Sequence, residues 1–302
     1  MPPNNEKESN AKSSIPASST KNNAKAINNN KITTIKNNVN QQPEQQLQQH
    51  LTPASTIIKQ LFAIAGGWWV FHYGLNFFLK FMSKTYRQMK RDTKLEVLIN
   101  INALITSAII CPMYYKACNQ LNTSIKSRFE GYSSICHNAL LLHCGQCIYE
   151  TTTYMFQNKG IEFYLHHALV LINYFDVLKT GTMQYFAAKD GIVEGTNVPL
   201  CMINILRMFE RSNHPLYILN GALLWLSYIP LRLLNLPMMV KEWMEDVSSE
   251  EGKKTWRKNT TLAKYTAIPT TIFLWILSCI WMVPISSGFL KAIKPYLLSS
   301  SK

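Results

Sequence analysis

The chain has 302 residues, a formal net charge of +14 and seven cysteines. That length allows one sizeable domain with additional segments. The charge would suit nucleic acid, but the lysines and arginines fall mostly between apolar segments with no aromatic-and-basic stripe beside them. Lipid headgroups are therefore the expected partners, and nucleic acid is not. The cysteines form no disulfide framework. No Gly-x-Ser-x-Gly elbow, P-loop or dinucleotide fingerprint gives soluble-enzyme chemistry a foothold.

Residues 1–53 contain no aromatic residue and are dominated by Asn, Gln, Ser and Lys. Runs such as INNNKITTIKNNVNQQPEQQLQQH cannot bury enough apolar area to offset the entropy of ordering them, so this tail is expected to be disordered. From residue 54 the composition inverts, and 54–302 is expected to be one transmembrane domain. Seven apolar segments follow, at about 57–82, 95–117, 136–157, 162–181, 182–204, 215–240 and 265–290. Most approach the roughly 20 residues that cross a bilayer core as a helix. TIFLWILSCIWMVPI is the least ambiguous, and 182–204 is the least apolar.

Hydrocarbon offers no partner to a free backbone group, so spans must be helices or closed barrels. Alternating ten-residue patterns are absent. The expected fold is therefore an all-α membrane protein, a bundle of about seven transmembrane helices behind the disordered tail. The first apolar segment lies too far into the chain for an ordinary cleaved signal peptide. No internal repeat or broken helix marks a transporter.

Lys84, Arg87, Lys90, Arg91 and Lys94 in the first linker favour the cytoplasm. The basic stretch from Lys241 to Lys264 falls on the opposite face if seven spans are present. Sequons at Asn122 and Asn259 share the N-terminal side. These signals together give an exoplasmic N-terminus and a cytoplasmic C-terminus.

An ionisable side chain inside a span costs a few kcal/mol on insertion scales, so each one is a functional hypothesis. Asp176, Lys179 and Arg207 lie near span ends, where snorkelling accounts for them. Glu150 falls about 10 Å from the end of its span, and His166 and His167 about 6–8 Å from theirs. The short turn Asn158-Lys159-Gly160 joins these two spans and should bring Glu150 beside the histidines. A carboxylate at an imidazole fixes its tautomer and raises its basicity, as in general bases. A buried histidine pair can equally serve as an interhelical hydrogen-bonding device. Asp190 and Glu194, four apart, should face one side of a helix. Asp190 and Arg232 come out at similar depth, about 12 Å from their span ends, and are expected to pair.

The segment CHNALLLHCGQC carries Cys144-x-x-Cys147 beside His143. No second such pair completes a tetrahedral zinc site, and a mid-span position does not suit a redox motif. Cysteine is also a common small buried residue. No metal and no cofactor is expected.

Taken together, the His166-His167 pair in an apolar span, Glu194 further along, and YILNGALLWLSYIPLRLLNLP resemble the TLC-domain family. In that last run the Asn220-Gly221, Arg232 and Pro237 spacing is similar to the family's penultimate helix. The resemblance covers roughly residues 54–290. It implies a helical membrane protein of lipid sensing, trafficking or ceramide synthesis, with a lipid-accessible central cavity. His166 and His167 are then the candidate catalytic residues, and Glu150, Asp190, Glu194, Asn220 and Arg232 would line the lipid cavity. Ceramide synthases carry an HD-x-x-D-x-x-x-E-like run here. Aligned on Glu194, Asp190 matches the later aspartate, but Phe186 and Ala187 occupy the His-Asp positions. The non-synthase members read Glu-x-x-x-Pro, and this chain has EGTNVP with Pro199 one residue later. The chain thus resembles the non-synthase branch more than the synthases.

The expected function is lipid homeostasis, by binding, sensing or modifying an acyl or ceramide-like lipid in an intramembrane polar cavity. The alternative is N-acyl transfer from acyl-CoA, as in ceramide synthases. A transporter, or a scaffold whose histidines only pack, completes the set. The endoplasmic reticulum is the expected membrane, with the plasma membrane as the alternative.

Overall fold

A computed structural model describes residues 52–157 and 159–299. The tail expected to be disordered lies outside the described residues except for Thr52 and Pro53, and so does Asn158 of the expected turn. Among the described residues every regular element is helical.

Helix α1 runs Ala54–Met82 and is followed by the short α2, Lys84–Gln88. Next come α3 (Arg91–Leu121), α4 (Ile125–Glu130), α5 (Ser134–Tyr154) and α6 (Ile161–Thr180). Serine starts several of them: the side chains of Ser83, Ser124 and Ser133 accept the backbone N–H three residues on. That bond satisfies one of the donors left open at a helix start. Helix α6 stops at Gly181, whose φ of 70° lies in the left-handed region that glycine adopts without a Cβ clash.

The fifth apolar segment, expected as one span over 182–204, is a composite rod. It comprises α7 (Gln184–Gly191), a 3-10 segment (Ile192–Thr196) and α8 (Asn197–Met208). Pro199 has no N–H to give to the Gly195 carbonyl, which removes one α-helical bond next to the tightened turn. The next rod is composite as well: α9 (Pro215–Tyr228), a π segment (Ile229–Leu234) and α10 (Asn235–Ser248). Pro230 stands in the widened turn and likewise lacks its N–H. Dihedrals stay helical through the junctions at Gly191, Thr196 and Tyr228. The rods are thus distorted rather than interrupted, a feature that the apolar pattern does not reveal. Helix α11 (Glu250–Lys258) and the long α12 (Thr261–Ser299) complete the described chain.

Three helices are long and apolar enough to cross a membrane: Arg91–Leu121, Pro215–Ser248 and Thr261–Lys291. Helices α5 and α6 have the length of a span but not the apolarity. Gln146, Glu150, His166 and His167 lower their average, although these side chains face protein rather than lipid. Hydropathy averaging counts both faces alike.

Contacts between connections define two ends. At one, Lys159 beside α6 meets Glu96 of α3, and Asn204 of α8 meets Asn100 of α3. At the other, Arg128 of α4 meets Asp246 of α10, and Thr260 meets Asp176 of α6. Helix α3 lies between them and packs on α1, α5, α7 and α8. Two glycines set close helix approaches, as small residues do in membrane packing. A Cβ at Gly145 would stand 2.4 Å from Ile64, and one at Gly191 would stand 2.3 Å from the Tyr114 ring. The buried apolar cluster leans to the Arg128 end, where Phe129, Phe186, Trp243 and Trp256 pack ring against ring.

Candidate functional site

At the Lys159 end the helices enclose a cavity of about 390 Å³. His167, on α6, is buried beneath it. Its Nε2 lies 3.3 Å from Glu150 Oε2 on α5, the juxtaposition that the short intervening turn implies. The other ring nitrogen, Nδ1, lies 3.0 Å from Thr151 Oγ1, and that hydroxyl donates to the Cys147 carbonyl at 2.7 Å. The hydroxyl has one proton, so Nδ1–H must donate to Thr151. That leaves Nε2 facing Glu150 Oε2. Glu150 Oε1 accepts from Gln146 Nε2 at 2.9 Å, and Tyr154 stacks on the imidazole at 5.5 Å.

His166 sits next to His167, ring to ring at 5.3 Å, and faces Trp281 of α12. It lines the main cavity and two smaller voids behind it, and its Nδ1 is buried without a hydrogen-bond partner.

Glu194, in the 3-10 segment, accepts from Asn197 Nδ2 at 2.5 Å through Oε2. Its Oε1 lies 3.7 Å from Arg232, whose Nε donates to Thr196 at 2.8 Å. Arg232 comes from the π segment and also lies over the Tyr228 ring. The two distorted turns thus face each other and exchange their polar groups. π turns recur at functional sites for this reason: they re-aim a side chain.

The expected Asp190–Arg232 pair is not formed. Asp190 Oδ2 accepts from Tyr174 at 3.0 Å, and Glu194 takes the arginine. The expectation matched Asp190 to Arg232 by depth along their helices. The 3-10 segment turns about 120° per residue instead of about 100°, which carries Glu194 around to Arg232 and leaves Asp190 on Tyr174. Asp190 lines a void of about 10 Å³ shared with His143, His166 and Glu194. It also lines a second cavity, of about 60 Å³, towards Asp176 and Phe186.

Asn220 is also displaced from its expected place. Its Nδ2 donates to Leu216 of its own helix, and it is absent from the lining of all these voids. Lys179 and Arg207 are exposed, in keeping with snorkelling. Asp176 is instead buried and accepts from Thr260 at 2.5 Å, because α11 and the start of α12 fold over it.

Several cavity residues escaped the sequence reading: Gln146, Thr151, Tyr154, Gln157, Asn197 and Trp281. A signal existed for the first. His143, Gln146 and Glu150 stand at i, i+3 and i+7, a polar stripe on one face of an apolar helix. Gln157 gave none, since it follows the helix. At the rim Lys159 pairs with Glu96 at 2.9 Å, while Phe163, Leu200, Pro284 and Ile285 form an apolar wall.

Cys144 and Cys147 are buried free thiols. Among the described residues no group of three or more His, Cys, Asp or Glu could hold a metal ion. At the other end Arg128 pairs with Asp246, which also pushes the guanidinium pKa above its ordinary value by hydrogen bonding to it. Lys189 and Tyr185 both bond to Glu242 there.

The TLC domain model matches residues 97–287, more than half of the chain. No curated protein and no solved structure shows significant similarity to it. The matched region contains the histidine pair, both distorted rods and the cavity floor. The family match points to a membrane protein of lipid metabolism or sensing. The chain belongs to the TLC domain family.

Proposed function

We propose that this chain is a multi-pass protein of lipid homeostasis that binds an acyl lipid in the cavity beneath Lys159. The observation that carries the reading is the cavity itself. Its volume of about 390 Å³ joins a polar floor (Glu150, His166, His167, Glu194, Arg232) to an aromatic and aliphatic wall. Small-molecule sites span roughly 300–1,000 Å³ and combine these two kinds of lining. An acyl chain lies along the wall and the head reaches the floor. In this reading α1, α3, α5, α6, the two composite rods and α12 are seven crossings, the N-terminus is exoplasmic, and the membrane is the endoplasmic reticulum. The resemblance to non-synthase members rests on Phe186 and Ala187. Phe186 is buried against Phe129, so aromatic packing occupies the positions of the synthase His-Asp pair. The test is mass spectrometry of lipid co-purifying with the protein. The His166→Ala/His167→Ala protein should lose most of it, and unchanged bound lipid would end the proposal.

One observation favours a second reading, acyl transfer from acyl-CoA to a sphingoid amine. The Glu150–His167 contact at 3.3 Å has the form of a base held by a carboxylate. Purified protein incubated with acyl-CoA and a sphingoid base should form amide if this reading holds, and should form none if the chain only binds lipid.

A further inference from the structure

Voids follow one another through the interior of the bundle, and neighbouring voids share the side chains between them. The main cavity and a void of about 50 Å³ behind it are both lined by Glu150, His166 and His167. That second void and one of about 10 Å³ share His143, His166 and Glu194. The smallest void in turn shares Tyr174 and Asp190 with the cavity of about 60 Å³. This last cavity reaches Asp176, which accepts from Thr260 at the Arg128 end. From Phe163, on the wall of the main cavity, to Asp176 helix α6 rises about 20 Å. A hydrocarbon core is about 30 Å thick, so the series covers most of one crossing.

The junctions carry groups that hold or release a proton. His166 Nδ1 and Asp190 Oδ1 are buried without hydrogen-bond partners, and both residues line the smallest void. Asp190 Oδ2 accepts from Tyr174 at 3.0 Å, and His143 stands ring to ring with Tyr174 at 5.3 Å. A volume of about 10 Å³ is close to what one water needs, and a water there meets polar groups on both sides. Arg232 lines the same void, but Glu194 at 3.7 Å offsets the charge that would repel a proton. Series of Asp, Glu and His at membrane depth are the material of proton relays.

From this alignment we infer that the chain carries a proton path from the Arg128 end to the main cavity, with Asp190 and His166 as its central relay. A proton enters past Asp176, is held at Asp190 Oδ1 and passes to water in the smallest void. As the water takes that proton it gives one to His166 Nδ1, so no charge stays on the water. The imidazole releases a proton from Nε2 into the main cavity, and a flip of the ring restores the starting tautomer. The activity is proton exchange through the bundle, and it does not depend on which lipid the main cavity binds.

The test uses the full-length protein in liposomes with trapped pyranine, a pH-sensitive dye, and a potassium gradient with valinomycin to drive protons inward. The interior should acidify faster than in protein-free liposomes. Asp190→Asn keeps the shape of the side chain but no longer exchanges a proton, and should lose most of that flux. Val170→Leu adds one carbon at the smallest void, leaves every titratable group in place and should lose most of it as well. The two variants act by different means, and an unchanged unfolding temperature shows which of them to read. Acidification no faster than in protein-free liposomes overturns the path. Full flux in either folded variant overturns it too, and so does escape of trapped carboxyfluorescein alongside the protons, which marks a general leak.

Discussion

The two ends of the bundle use similar side chains to opposite effect. At the Arg128 end, Arg128, Asp246, Glu242 and Lys189 tie three helices together around packed aromatic rings. At the Lys159 end, Glu150, His167, Glu194 and Arg232 also form pairs, at 3.3 and 3.7 Å, yet they surround a void of about 390 Å³. The first arrangement fixes helices to one another. The second is propped open by two helical distortions, at Ile192–Thr196 and Ile229–Leu234, which turn polar groups inward without letting the rods close on them. Ion pairing as such therefore says little about function in this molecule. What distinguishes the ends is whether the space between the pairs is filled.

Substitutions can break that contrast, and the largest effect belongs to the filled end. Arg128→Ala strands Asp246, which is 4 % exposed, and should cost about 3–5 kcal/mol of unfolding free energy in detergent. Lipid bound per folded molecule should stay constant. Gly191→Val places carbon against the Tyr114 ring, so overpacking should cost about 1–3 kcal/mol, read as a lowered unfolding temperature. At the hollow end the balance reverses. Glu150→Gln should cost only about 1 kcal/mol of stability, the scale of one hydrogen bond, while reducing co-purified lipid several-fold. Should Glu150→Gln prove as damaging to folding as Arg128→Ala, the two ends would not differ in the way described. Lys159→Ala removes a partly exposed rim pair and should alter stability by about 0–1 kcal/mol. Lipid exchange measured by fluorescence is then the sharper readout, with faster exchange expected from a more open rim.

Much of the architecture was legible because membrane segments obey local rules. Apolar runs alone gave most helix positions to within a few residues. The nearness of Glu150 to the histidines followed from rise per residue and a short turn. The Asp190–Arg232 pairing, matched by depth alone, failed because the 3-10 segment near Pro199 changes which side chain faces the arginine. The Arg128–Asp246 clamp was out of reach in principle, since 118 positions separate its members and no periodicity connects them. Gln157 was missed because a glutamine after a helix carries no pattern; only its burial without partners marks it.

The sequence by itself determined the helical character, the apolar segments, the family and the clustering of Glu150 with His166 and His167. These rest on side chains near in the chain or on periodicities that hold along a helix. Tertiary structure decided which carboxylate meets Arg232 and that Asn220 stays outside the cavity. Those outcomes depend on the phase of distorted turns and on which groups several helices bring to one depth. About 20° per residue, accumulated over a single 3-10 turn, is enough to exchange one acid for another.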